Sequence, residues 1–215
     1  MSKIKSKTTG QVMVWKEINY KNIKDKEMQL IISEVNIMRS VSDDHVVKYH
    51  QRIWDKSTSN LYIIMEFCEN GDLKQLIDKH KRTREPVKEE IIWKVLAQMS
   101  LALKACHYHS DRTIIHRDIK PGNIFLDKYD NVKLGDFGLS KQLSESVYCA
   151  TTNVGTPYYM SPEQVGGNKY DEKCDIWALG CIIHEMATLK VPFQAENYLR
   201  LADVITNSTK AALPD

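Results

Sequence analysis

The stretch that most limits how this 215-residue chain can fold is residues 114–138. It reads Ile-Ile-His-Arg-Asp-Ile-Lys-Pro-Gly-Asn-Ile-Phe-Leu-Asp, then a polar turn, then Val-Lys-Leu-Gly-Asp-Phe-Gly. Two β-branched apolar runs carry these polar groups, one ending at His116 and the other spanning 132–134. Between them Ile124-Phe125-Leu126 can form a strand, and Lys128-Tyr129-Asp130-Asn131 can turn it back as a hairpin. Asp118, Asn123 and Asp136 would then converge at the ends of short strands. Two carboxylates and an amide placed together supply hard oxygen ligands for Mg²⁺ and a carboxylate beside an incoming hydroxyl.

The rest of the chain is long enough to enclose a sizeable core around such a site. Net charge is +2, which gives no electrostatic case for nucleic acid or a membrane surface. No apolar run approaches a transmembrane span, and Met1-Ser2-Lys3-Ile4-Lys5 lacks a signal-peptide apolar segment. The five cysteines are scattered with no Cys-x-x-Cys pair, so reduced thiols are expected rather than a disulfide framework or zinc site. His107 and His109 have no ligand partner at helical spacing and read as surface or helix-end histidines.

Taken in order, residues 3–18 read as two strands around a turn at Thr8-Thr9-Gly10, with Val12, Val14 and Lys16 on one face of the second. Residues 24–41 read as a helix, its apolar stripe formed by Met28, Ile31, Ile32, Val35 and Met38, with Glu34 at the stripe's edge. Residues 45–50 and 61–68 read as strands joined through a polar turn at 55–60. Gly71 and Asp72 break the pattern, and Leu73 starts a helix with Asp72 as its N-cap. The basic run 79–84 reads as a solvated loop, being short and free of aromatics. Residues 88–109 read as a long helix whose stripe (Ile92, Val95, Leu96, Met99, Leu103) is core. A polar stretch, 139–153, precedes an apolar helix that begins at Asp175, and 198–205 read as a last helix.

His116-Arg117-Asp118 with Asn123 five residues past the Asp, followed by Asp136-Phe137-Gly138, resembles the catalytic loop and metal loop of protein kinases. The runs Asp-Phe-Gly-Leu-Ser-Lys, Val-Gly-Thr-Pro-Tyr-Tyr-Met-Ser-Pro-Glu-Gln and Asp-Ile-Trp-Ala-Leu-Gly-Cys-Ile-Ile-His-Glu-Met-Ala-Thr resemble the NIMA-related kinases in particular, as do Val-Trp-Lys-Glu-Ile and the segment from Leu61 to Leu73. The resemblance covers nearly the whole chain. It implies an α+β, bilobal fold: a β-rich lobe over 1–66 with one long helix, a hinge at 67–70, and a mainly helical lobe over 71–215.

The resemblance also assigns roles. Asp118 would orient a substrate hydroxyl and accept its proton, and Lys120 would neutralise charge on the transferring phosphoryl group. Lys16, positioned by Glu34, would hold the α- and β-phosphates of ATP; Asn123 and Asp136 would hold Mg²⁺. Met65 would sit beside the adenine, with backbone groups of Glu66 and Cys68 meeting its edge. Lys120 and Thr156 imply serine/threonine rather than tyrosine transfer. Residues 139–163 would form an activation segment, with Thr151 and Thr152 as candidate phosphorylation sites and Arg117 as the cation a phosphate there would meet. Asp175 would cap the backbone of the catalytic loop, and Met38, His116 and Phe137 would belong to an apolar column between the lobes.

The chain departs from the family pattern in one respect that bears on activity. No Gly-x-Gly-x-x-Gly occurs in it. Against the family, the first strand and its glycine-rich loop are expected to be absent, as are the last helices, leaving Glu163 unpaired. Two readings follow. One is an ATP-dependent Ser/Thr protein kinase with protein substrates and an activating kinase or self in trans. The other is a catalytically impaired kinase-fold module that binds or regulates. The family resemblance suggests a cytoplasmic or nuclear protein with a cell-cycle, centrosome or microtubule role.

Overall fold

The computed structural model describes residues 1–137 and 157–207, with backbone alone at Leu30 and Glu34. The fold is α+β. Four antiparallel strands form the N-terminal sheet: β1 (Ser2–Lys5), β2 (Val12–Asn19), β3 (Tyr49–Asp55) and β4 (Asn60–Glu66), in the spatial order β1-β2-β4-β3. Strand β4 is central. Leu61, Ile63, Ile64 and Met65 are all buried, so this strand reads as an almost continuous apolar run. Its register sets Val14 opposite Met65 and Lys16 opposite Ile63, which carries the Lys16 side chain to the middle of the sheet.

Helix α1 (Asp25–Ser40) crosses between β2 and β3. Its start is fixed by the Glu27 carboxylate, which accepts the backbone N–H of Lys24 at 3.2 Å. Ile31, Val35 and Met38 are buried on one stripe, as the spacing of apolar residues predicts. Full burial of a side chain such as Ile31 contributes about 2–3 kcal/mol.

Residues 45–50 are expected to be one strand, and the structure divides them. Strand β3 begins only at Tyr49. Val46 instead makes a parallel bridge to Leu134, with the N–H of Val47 donating to the Leu134 carbonyl at 2.8 Å and the N–H of Leu134 donating to that of His45 at 2.8 Å. Val46-Val47 has the composition of a strand, but its ladder partner lies some ninety residues downstream, which local patterning cannot reveal.

The remainder is mainly helical: α2 (Leu73–Thr83), α3 (Glu89–His107), a short α4 (Pro162–Val165), α5 (Lys173–Thr188) and α6 (Tyr198–Asn207). Asp72 caps α2 by accepting the N–H of Gln75 at 2.9 Å. The basic run 79–84 is not a loop: residues up to Thr83 lie within α2, and Arg84 caps it in the left-handed region at φ 58°. Cations in a last turn are favoured by the helix dipole, so the charge run helps to hold the helix it was expected to interrupt. Helix α3 buries Val95, Met99, Leu103 and Cys106 against α5, whose Ala178, Leu179 and Ile182 belong to the same core.

A one-turn 3₁₀ helix (Pro121–Asn123) leads into the hairpin β5 (Ile124–Leu126) and β6 (Val132–Leu134). This hairpin lies where sequence places it. Asp127 holds its turn by accepting the N–H groups of Tyr129 and Asn131, each at 2.8 Å. Gly135 follows β6 closely packed: an added Cβ would lie 2.9 Å from Val47 Cγ2 and 3.0 Å from Phe125 Cε2.

Candidate active site

Two residues beside the hairpin hold strained backbone. Arg117 has φ 70° and Asp136 has φ 54°, in the left-handed region that non-glycine residues enter at a cost of about 1 kcal/mol or more. The Arg117 turn is held from below. Asp175, 1% exposed in the first turn of α5, accepts the N–H of His116 on Oδ2 and the N–H of Arg117 on Oδ1, both at 2.9 Å. Oδ2 also accepts from His107 Nε2 at 2.8 Å. Burial raises the cost of the Asp175 charge, yet these donors outweigh it and hold the carboxyl below the usual range. Asp175 therefore does cap the catalytic-loop backbone. His107 ends its helix as sequence suggests, but it is buried rather than at the surface, because its partner lies 68 residues away.

The protonation state of His116 follows from its partners. Its Nε2 lies 3.0 Å from the Gly135 carbonyl, which can only accept, and its Nδ1 lies 3.3 Å from the Asp118 N–H, which can only donate. Only the neutral ring with the proton on Nε2 satisfies both. Burial favours the same state, holding His116 below its ordinary value despite the charge of Asp175. The imidazole thus ties the backbone before Asp136 to the backbone at Asp118. It also packs on Phe137, with ring centroids 4.9 Å apart.

Asp118 is held at one oxygen. Lys120 Nζ donates to Oδ2 at 2.7 Å, and Asn123 Nδ2 donates to Oδ2 at 2.9 Å and to the Asp118 carbonyl at 2.7 Å. Oδ1 has no donor among the described residues. The Asn123 amide nitrogen is spent on Asp118, which leaves its amide oxygen to face a cation. Among the described residues no group of three or more His, Cys, Asp and Glu could hold a metal by itself. A hard cation would rest on Asp136, Asn123 and the oxygens of a bound phosphate, the shared coordination that Mg²⁺ commonly takes.

Across the cleft, Lys16 Nζ lies 2.8 Å from Asp136 Oδ1, with side chains 23% and 21% exposed. The side chain of Glu34, expected to position Lys16, lies outside the described residues. Met65 is buried at the end of β4. Burial, reinforced by the charge of Glu66, pushes the half-buried Cys68 thiol up to about 12, so it stays protonated. Arg117 stacks over the Tyr170 ring, 5.9 Å from its centroid. Thr151, Thr152 and Thr156 lie outside the described residues.

Two ion pairs escaped sequence reasoning. Glu185 of α5, only 5% exposed at its side chain, accepts from Lys81 of α2 at 2.6 Å and from the Tyr159 hydroxyl at 2.6 Å. Glu66 accepts from Lys133 of β6 at 2.9 Å. In both, the partners are distant in sequence and each lysine reads alone as a surface cation.

The protein kinase domain family matches residues 1–213 of the chain. A probable serine/threonine-protein kinase nek2 of Dictyostelium discoideum is 55% identical over 95% of this chain and 49% of its own length. The mouse serine/threonine-protein kinase Nek2 is 46% identical over 99% of this chain and 48% of its own. The G2-specific protein kinase nimA of Emericella nidulans is 40% identical over 99% of this chain and 34% of its own. The chain spans about half the length of the first two of these relatives. With its catalytic-loop and cleft residues gathered at one site, the chain belongs to the protein kinase domain family, and its similarity runs to the NIMA-related serine/threonine kinases.

Proposed function

We propose that this chain carries the catalytic machinery of a protein serine/threonine kinase, transferring the γ-phosphate of ATP to Ser or Thr hydroxyls of protein substrates. The observation that carries this reading is the state of Asp118, held at Oδ2 by Lys120 and Asn123 and open at Oδ1. A carboxylate so held can accept the proton of a hydroxyl placed at Oδ1, while Lys120 stands beside it to meet the charge of the transferring group. Mg²⁺, when bound, supplies neutralising charge to the phosphates, and Asp136 and Asn123 are the residues that would hold it. Lys16 lies against Asp136 and is within reach of the same phosphates. Entry of nucleotide must separate that pair, since the ammonium belongs to phosphate and the carboxylate to cation. Preorganised charge and position, rather than covalent chemistry by the protein, would lower the barrier.

Serine/threonine transfer is supported by Lys120 two residues past Asp118 and by the relatives' being named serine/threonine-protein kinases. The name of the Emericella nidulans relative specifies the G2 phase, and we place this chain in cell-cycle control on that ground. The kinase resemblance makes Thr151 and Thr152 candidate phosphorylation sites, with Arg117 as the cation a phosphate there would meet. No helix among the described residues is long and apolar enough to cross a membrane. The reading is tested by phosphate transfer from Mg-ATP to a Ser/Thr peptide, comparing the unaltered chain with Asp118→Asn.

A further inference from the structure

Among the described residues, two ion pairs join the N-terminal sheet to the β5–β6 region. One is Lys16 with Asp136, just past the end of β6. The other is Glu66, the last residue of β4, with Lys133 at the centre of β6. The two lie at opposite ends of one short segment, with Leu134 and Gly135 between Lys133 and Asp136. They differ in what the proposed function asks of them. Lys16 and Asp136 must part to meet phosphate and cation. Glu66 and Lys133 have no second duty, so theirs is the one ion pair of the two that can persist across the loaded cleft.

The Glu66 carboxylate is fully engaged. Oε1 takes Lys133 at 2.9 Å, and Oε2 accepts the N–H of Lys48 at 3.0 Å. The N–H of Glu66 donates in turn to the Lys48 carbonyl at 2.9 Å. The Lys133 side chain is 14% exposed and that of Glu66 is 25% exposed, so the pair is shielded more than a surface pair would be. Asp127 and Cys68 lie in the same field: Lys133 helps lower the Asp127 carboxyl, and Glu66 helps raise the Cys68 thiol. Further along, the N–H of Asn70 donates to the Leu126 carbonyl at 3.0 Å and that of Leu126 to the Gly71 carbonyl at 2.9 Å. Residues 66–71 are thus tied to the hairpin at both ends, by a salt bridge at one and backbone hydrogen bonds at the other.

We propose that Lys133 is a positioning residue for the nucleotide: through Glu66 it fixes the backbone of residues 66–68, which meets the adenine edge, against strand β6. This inference rests on the kinase reading of the site. Lys133 itself touches neither nucleotide nor substrate. Its loss leaves the Glu66 and Asp127 carboxylates without their shared cation, and the 66–68 backbone without its fixed distance from β6.

The test is calorimetric titration of ADP and, separately, of adenosine into the unaltered chain, Lys133→Met, Lys133→Arg, Glu66→Gln and the double variant Glu66→Gln/Lys133→Met. Lys133→Met is expected to weaken ADP about five- to tenfold, and adenosine by the same factor, because the loss lies at the base and not at the phosphates. Lys133→Arg, which keeps the charge, is expected to stay within about twofold of the unaltered chain. Adding Glu66→Gln to Lys133→Met should cost little more, since each removes the same pair. Equal ADP affinity for Lys133→Met and the unaltered chain, a loss confined to ADP, or additive effects of the two substitutions would overturn the proposal. Failure of the unaltered chain to bind ADP at all would overturn the kinase reading with it, and so separates the two failures.

Discussion

Asp175 shows how one buried carboxylate can decide the shape of a catalytic loop. It accepts from His107, from the Cys174 thiol and from the backbone N–H groups of His116 and of Arg117, the latter in the left-handed region. Replacing it with Ala leaves those donors buried without an acceptor, and Asp175→Ala should lose about 3–5 kcal/mol in urea unfolding. A loss under about 1 kcal/mol would show that the loop is held by other contacts. The titration of two histidines, His116 and His50, has a definite sign. Burial holds His116 below its ordinary 6.5, and His50 is lowered too, again by burial first. The unfolded chain takes up these protons near 6.5 while the folded chain resists until lower pH, so this stability is fully present above 6.5 and is lost as pH falls through the folded values. Asp175 adds a second loss of the same sign below its ordinary 3.8. Urea midpoints should therefore fall from pH 7 to pH 5; a midpoint that rises on acidification would contradict the neutral assignment of His116. Sequence identified Asp175, Asp118, Asn123 and Asp136 because each lies in a recognisable run. It misjudged His107 and passed over Lys133, because the partners that define them lie 68 and 67 residues away.

At the level of elements, periodicity located α1 and α3 to within two residues, because an apolar stripe is a local property. It failed for 45–50, where the chain leaves one sheet to pair with another, and for 79–84, where charge suggested solvent rather than a helix C-terminus. The pairing of Val46-Val47 with β6 explains why residue 135 is glycine. Gly135→Ala would press a methyl group into Val47 and Phe125, and is expected to destabilise the fold by about 1–3 kcal/mol. Val47→Ala removes one of the two crowded neighbours, so its effect should be partly offsetting in the double variant; strict additivity of the two would contradict the packing described. The Lys81–Glu185–Tyr159 cluster links three elements in the same way. Lys81→Met leaves a buried carboxylate with a phenol alone and should cost about 1–3 kcal/mol, and Glu185→Gln in that background should recover part of it. No recovery would mean that the lysine acts through its packing rather than its charge.

Seen as a whole, the molecule places an antiparallel sheet above a helical body, with the β5–β6 hairpin between them. The hairpin pairs with His45–Val47 and reaches the sheet at Glu66, Asp136 just past it reaches Lys16, and His116, held by Asp175, ties the Gly135 carbonyl to the body. That arrangement makes the position of Asp118 a property of the entire fold rather than of its loop. The family was legible in sequence because its motifs are contiguous. Apart from Asp175, the scaffolding that holds them was not, because it is built from pairs such as Glu66–Lys133 and Lys16–Asp136, 67 and 120 residues apart. The central claim is that Asp118 is the carboxylate that accepts the hydroxyl proton in phosphate transfer. The measurement that addresses it most directly is incorporation of labelled γ-phosphate from Mg-ATP into a Ser/Thr peptide by the unaltered chain and by Asp118→Asn, with folding of both checked by urea unfolding. Transfer by the unaltered chain, lowered roughly 10²–10⁴-fold in the variant at unchanged stability, is the predicted result. Equal transfer by the two would contradict the assignment of Asp118, and absence of transfer by the unaltered chain would contradict the activity itself.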